Sequence, residues 1–90
     1  MSSSNFAILI DTKAGKDLRK LRKTHPEISH LLIKDIDDLA FQPYSGKALK
    51  GDKKGCYSLR QGDYRIIYEI YSSQKIIHII RVGHRREIYR

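Results

Sequence analysis

Two runs in the last third of the chain finish in groups that hold phosphate and stack on bases. They are Tyr57-Ser58-Leu59-Arg60-Gln61-Gly62-Asp63-Tyr64-Arg65 and Val82-Gly83-His84-Arg85-Arg86-Glu87-Ile88-Tyr89-Arg90. Each joins an apolar, strand-like core to guanidinium, imidazole or phenol side chains. Arginine suits a phosphodiester because its fork stays charged and donates to two oxygens at once. Histidine suits proton transfer, with an ordinary pKa near ~6.5. Tyrosine stacks on a base or donates a proton. RNA cleavage by side chains alone needs three operations: removing the 2′-hydroxyl proton, neutralising the phosphate, and protonating the leaving 5′ oxygen. Arg60, Arg65, His84, Arg85 and Tyr89 supply all three kinds of group. The general base is the role with no obvious owner.

The charge distribution supports an acidic partner. The chain has 90 residues, 18 Lys+Arg against 10 Asp+Glu and a formal net charge of +8. Residues 1–45 hold seven Lys/Arg and six Asp/Glu, a balance of +1, and residues 46–90 hold eleven and four, a balance of +7. The excess therefore belongs to the strand-rich half. Self-repulsion of that kind weakens a small compact state, so it points to RNA or another polyanion. Lys50, Lys53, Lys54, Arg60, Arg81 and Arg86 are the candidate RNA-binding cations. The Lys-rich segment is either a solvated turn or a grip on RNA through counterion release.

Ninety residues make one domain, residues 1–90, with one small core. A single cysteine, Cys56, excludes an internal disulfide and fits a reducing, cytoplasmic setting. No apolar run approaches the ~20 residues of a membrane span, and no basic segment followed by a long apolar one marks a signal peptide. The histidines and the cysteine lack metal-ligand spacing, so neither a metal nor another cofactor is expected.

These side chains need elements to position them. Phe6-Ala7-Ile8-Leu9-Ile10 reads as a first, largely buried strand, with Asp11 and Thr12 as helix N-cap candidates. Ala14, Leu18 and Leu21 form the apolar stripe of the helix that follows. His25-Pro26 ends it and opens a second, with Ile28, Leu31, Leu32, Ile36, Leu39 and Ala40 at helical spacing, stopping near Phe41 before Pro43. Residues 42–55 read as a loop. Strands are expected over roughly 56–61, 63–71 and 75–82, turning at Gly62-Asp63 and Ser72-Ser73-Gln74. The order β-α-α-β-β-β gives an α+β domain with a helical hairpin packed on one face of a mainly antiparallel four-stranded sheet. Alternation turns Tyr57, Leu59, Tyr64, Ile66, Tyr68 and Ile70 towards the helices and Ser58, Arg60, Arg65, Ile67 and Glu69 away. Arg60 and Arg65 then face each other across the hairpin, an unfavourable pairing for stability and expected where function chose the residues. Cys56 reads as a small buried hydrophobe. His25, His30 and His78 carry no functional argument.

Leu49-Lys50-Gly51, then Tyr57-Ser58-Leu59-Arg60-x-Gly62-Asp63-Tyr64-Arg65-Ile66-Ile67-Tyr68, then Val82-Gly83-His84-Arg85-x-x-Ile88-Tyr89 resemble the RelE branch of the RelE/ParE toxin superfamily. The order of elements over the whole chain agrees. The resemblance implies a RelE-like fold and the toxin of a type II toxin–antitoxin pair. Such toxins are metal-independent endoribonucleases that cut messenger RNA in the ribosomal A site, and a cognate acidic antitoxin neutralises them in a hetero-oligomer. It makes Arg65 a phosphate-stabilising arginine, Arg85 a phosphate binder or general acid, Tyr89 a base-stacking ring, and Arg60 a further basic position on the hairpin. Some members have lysines where Cys56 and Ser58 stand here, so the family's proposed general base is absent. His84, Lys53 or Lys54 are the candidates to replace it. Two other readings are a ParE-like DNA gyrase inhibitor and a weakly catalytic, RNA-binding relic; the retained arginines, His84 and Tyr89 argue against the gyrase reading.

Overall fold

The computed structural model describes residues 5–88. Tyr89, the ring expected to stack on a base, lies outside the described residues. The elements run β1 (Ala7–Ile10), α1 (Thr12–Thr24), α2 (Pro26–Leu39), β2 (Lys47–Ala48), β3 (Cys56–Gln61), β4 (Tyr64–Tyr71), β5 (Ile76–His84) and α3 (Arg85–Ile88). They build one sheet ordered β1-β5-β4-β3-β2, with β1 parallel to β5 and the other pairs antiparallel.

Local chemistry explains the helical hairpin. The Asp11 carboxylate accepts from the Lys13 amide at 3.2 Å and caps α1. Pro26 opens α2, where its missing N–H costs nothing. Ala14 and Leu18 of α1 meet Leu32, Ile36 and Leu39 of α2 over Ile66, Tyr68, Ile77, Ile79 and Val82 of the sheet. The buried stripe of α2 is Ser29, Leu32, Ile36 and Leu39, a 3-4-3 spacing that leaves Leu31 42% exposed.

The structure departs from the sequence expectation in four places. The sheet has five strands, because Lys47 and Ala48 pair with Ser58 and Tyr57. Tyr68 explains that pairing: its buried hydroxyl donates to the Pro43 carbonyl at 2.8 Å and accepts from the Gly46 amide at 3.0 Å, drawing the loop onto the sheet edge. β1 is not largely buried: it is an edge strand with β5 on one side only, and Leu9 and Ile10 are 54% and 44% exposed. A short helix that was not expected, α3, follows the last strand over residues 85–88. Ile88 is buried against Gly83, where an added Cβ would lie 3.4 Å from its Cδ1. Cys56 is half-buried rather than buried.

Candidate nucleic-acid interface

The β3–β4 hairpin closes on Gly62, whose φ of +59° a two-residue turn requires at its first central position. Arg60 and Arg65 are direct cross-strand partners. Both donate to the Gly62 carbonyl, Arg60 through Nε at 3.3 Å and Arg65 through Nη1 at 3.0 Å. Arg65 Nη1 also donates to the Tyr64 carbonyl at 3.0 Å. The shared acceptor offsets part of the like-charge repulsion and fixes both forks at the hairpin tip, and donors on each remain for a ligand. Arg85 joins them through its backbone: its amide donates to the Asp63 carbonyl at 2.8 Å, so α3 starts on the turn, and Arg85 is exposed there. Gly83, the partner of Arg65 on β5, puts no side chain between them. Three arginines thus converge on one turn.

His84 is placed differently. β5 carries one extra residue between the pairs Ile67↔Arg81 and Tyr68↔Ile79, and beyond this bulge His84 pairs with Tyr64. Tyr64 packs on the helix side of the sheet, whereas Arg65, the next residue, has the opposite parity. The His84 and Tyr64 rings meet edge to face at 5.4 Å. His84 Nδ1 accepts from the Arg86 amide at 3.2 Å, which leaves the proton of the neutral ring on Nε2. His84 therefore lies with Tyr64 and not among the arginines of the turn.

Arg81 is committed to a structural contact. Its Nε donates to Asp17 Oδ2 at 3.0 Å, and the same oxygen accepts from the Val82 amide at 3.0 Å. β1 covers β5 only as far as Ile79, so Asp17 serves the free edge that β1 leaves. Lys50, Lys53 and Lys54 are exposed at the far end of β3 from Gly62. The strand residues Cys56 to Leu59 separate them from Arg60, a rise of roughly 13 Å at about 3.3 Å per residue. Lys53 acts on the Cys56 thiol, which burial and the Glu69 carboxylate push above the usual range, so Cys56 is a poor nucleophile. Among the described residues, no group of three or more His, Cys, Asp or Glu side chains is placed to hold a metal ion, and no helix is long and apolar enough to cross a membrane.

A second feature escaped the sequence reading. Along the free edge of β5, between α1 and α3, runs a cleft of about 710 Å³ whose lining includes Lys20, His25, Tyr64, His84, Arg86 and Glu87. The Thr24 hydroxyl donates to the Lys20 carbonyl at 3.0 Å, so it accepts from His25 Nδ1–H at 3.0 Å and leaves His25 Nε2 with a free lone pair. Nothing local in the sequence marks this site. Only the fold brings the end of α1 to residues more than 60 positions later.

Residues 8–89 match the family model described as the ParE toxin of the type II toxin–antitoxin system parDE. The chain is 34% identical over 87 residues to Toxin RelG of Mycobacterium tuberculosis, covering 94% of this chain and 97% of that protein. It is 30% identical over 87 residues to Toxin RelE of the same organism, covering 94% and 87%. Among solved structures it superposes on a RelBE toxin–antitoxin complex of M. tuberculosis with a TM-score of 0.81 and 32% identity, over 89% of this chain and 98% of that one. The intact RelBE toxin–antitoxin complex of E. coli gives a TM-score of 0.69 at 25% identity, over 88% and 95%.

Proposed function

Because the chain belongs to the ParE toxin family of type II toxin–antitoxin systems, within the RelE/ParE superfamily, we propose that it is a ribosome-dependent endoribonuclease that cuts translated messenger RNA. The observation that carries this reading is the convergence of Arg60, Arg65 and Arg85 on the Gly62-Asp63 turn. The 2′ oxygen attacks the adjacent phosphorus and the 5′ oxygen leaves. Charge building on the phosphate falls to Arg65 and Arg85, with Arg60 holding a neighbouring part of the strand. Tyr89 stacks on a base. No lysine stands at Cys56 or Ser58, so the ribosome supplies much of the rate by holding the 2′-hydroxyl in line. Lys53, close enough to bear on Cys56, is a basic group beside that vacated position. The side chains do this work without a metal.

Action in the ribosomal A site places the protein in the cytoplasm. Its second partner is an acidic antitoxin, as solved relatives are toxin–antitoxin complexes. The ParE family match also raises inhibition of DNA gyrase. Primer extension on a translated message after brief induction separates the two. Codon-phased cuts are expected; intact message accompanied by DNA damage would overturn the nuclease reading in favour of gyrase.

A further inference from the structure

We propose that the cleft along the free edge of β5 is a nucleotide subsite, taking one base and phosphate of the RNA strand outside the arginine turn. Naming RNA as the source rests on the nuclease reading; the site itself rests on the cleft. Its volume of about 710 Å³ lies within the range of small-ligand sites. Leu21 and Val82 give it apolar surface. Three flat rings line it in sequence, His25 to Tyr64 at 6.4 Å and Tyr64 to His84 at 5.4 Å, and such rings stack on bases of any sequence.

The polar groups are equally suited to a nucleotide. Lys20 and Arg86 have no ion-pair partner among the described residues and supply charge for a phosphate. The tautomers are complementary: His84 offers Nε2–H as a donor and His25 offers the Nε2 lone pair as an acceptor. The Glu87 carboxylate at the rim is a second acceptor, for base amino groups or ribose hydroxyls. The acid deeper in the cleft, Asp17, is already bound to Arg81 and to the Val82 amide. That last bond also disfavours a protein strand as the occupant. A strand adding to β5 needs the outward amide of Val82, and Asp17 holds it. The cleft lies at the same end of β5 as Gly83, the partner of Arg65, so a strand leaving the turn reaches it around one sheet edge.

The test is a titration of the whole protein with adenosine 5′-monophosphate, following imidazole resonances by NMR. His25 and His84 should shift together, while His30 and His78, outside the cleft, stay fixed. Lys20→Ala, Arg86→Ala and His25→Ala should each weaken binding about tenfold, the scale of one stacking or charge-assisted contact. All three side chains are on the surface or at its edge, and an unchanged amide spectrum confirms that each variant is folded. Inorganic phosphate binding as tightly as the nucleotide would reduce the cleft to an anion site and overturn the proposal. So would unmoved His25 and His84 at millimolar nucleotide, and shifts there with the antitoxin alone would mark a protein-docking cleft instead. Message cleavage is scored separately. Nucleotide binding without cleavage rejects the nuclease reading and keeps the subsite; cleavage without nucleotide binding does the reverse.

Discussion

Like charges placed directly opposite on a hairpin weaken it, and Arg60 with Arg65 is such a pair. A single carbonyl, that of Gly62, receives a hydrogen bond from both, which holds the forks in place and leaves donors free. Arg65→Ala should therefore keep or slightly raise the thermal midpoint while lowering cleavage on ribosomes about 10²–10³-fold, the loss of one transition-state donor. Near-wild-type cleavage by a folded variant would remove Arg65 from the mechanism. Arg85→Ala should act alike, and the double variant should lose much less than the product of the two if both hold one phosphate. Tyr68 is a different kind of residue. Burial, first of all, raises its phenol above the ordinary value of 10.0. The sign is that of a raised pKa: stability is intact below pH 10 and falls as the pH rises from there through the folded value, because the unfolded chain releases its proton earlier. Phenolate absorbance of Tyr68, isolated by difference against Tyr68→Phe, should appear at higher pH in the folded protein than in the chain unfolded by denaturant. The arginine pairing was legible in the sequence because Gly62-Asp63 set the register. The position of His84 was not, since the extra residue of β5 shifts the face of everything after it and no glycine or proline marks the bulge.

At the scale of elements, the helical hairpin and the three long strands were legible from periodicity, Asp11 and Pro26. The two elements that were missed depend on tertiary contacts. β2 has two residues and no pattern of its own; it exists because Tyr68 binds the backbone at Pro43 and Gly46. α3 exists because Gly83 leaves room for Ile88, and the Arg85 amide finds the Asp63 carbonyl. Gly46→Ala tests the first contact. Its Cβ would lie 2.5 Å from the Tyr68 hydroxyl and 3.0 Å from the Ser58 carbonyl, so something must move. The expected cost is about 1–3 kcal/mol in denaturant unfolding, the scale of overpacking, and an unchanged midpoint would show that the loop yields freely. Gly62 makes the contrasting case, with nothing within 4 Å of an added Cβ but a φ of +59°. There the strain is in the backbone, and Gly62→Ala should disturb the arginine forks along with the turn.

The whole molecule separates its charge as the half-chain counts anticipated: β2 to α3 carry nearly all of the excess, in a half with a +7 balance. Within that half two groups of cations stand at opposite ends of β3, the arginines at the hairpin tip and Lys50, Lys53 and Lys54 at the far end. The proposed roles divide accordingly, catalysis at the tip and counterion-releasing contact with ribosomal RNA at the lysines. An antitoxin that silences the tip by covering it must bring acidic groups to exposed arginines. Its association should then be steered by charge, and charge between exposed groups is screened as the Debye length shrinks from ~10 Å at 0.1 M salt to ~3 Å at 1 M. The apolar part of the interface, for which the exposed Leu9 and Ile10 of β1 are available, responds in the opposite sense or not at all. The association rate with the acidic partner should therefore fall steeply over this range while the dissociation rate changes little. Arg65→Ala with Arg85→Ala should flatten the salt dependence of association, and Lys53→Ala with Lys54→Ala should leave it nearly intact. Stopped-flow mixing at rising salt decides the matter: equally fast binding at all concentrations, or a slope carried by the lysines, would mean that the antitoxin silences the toxin without engaging the arginine turn.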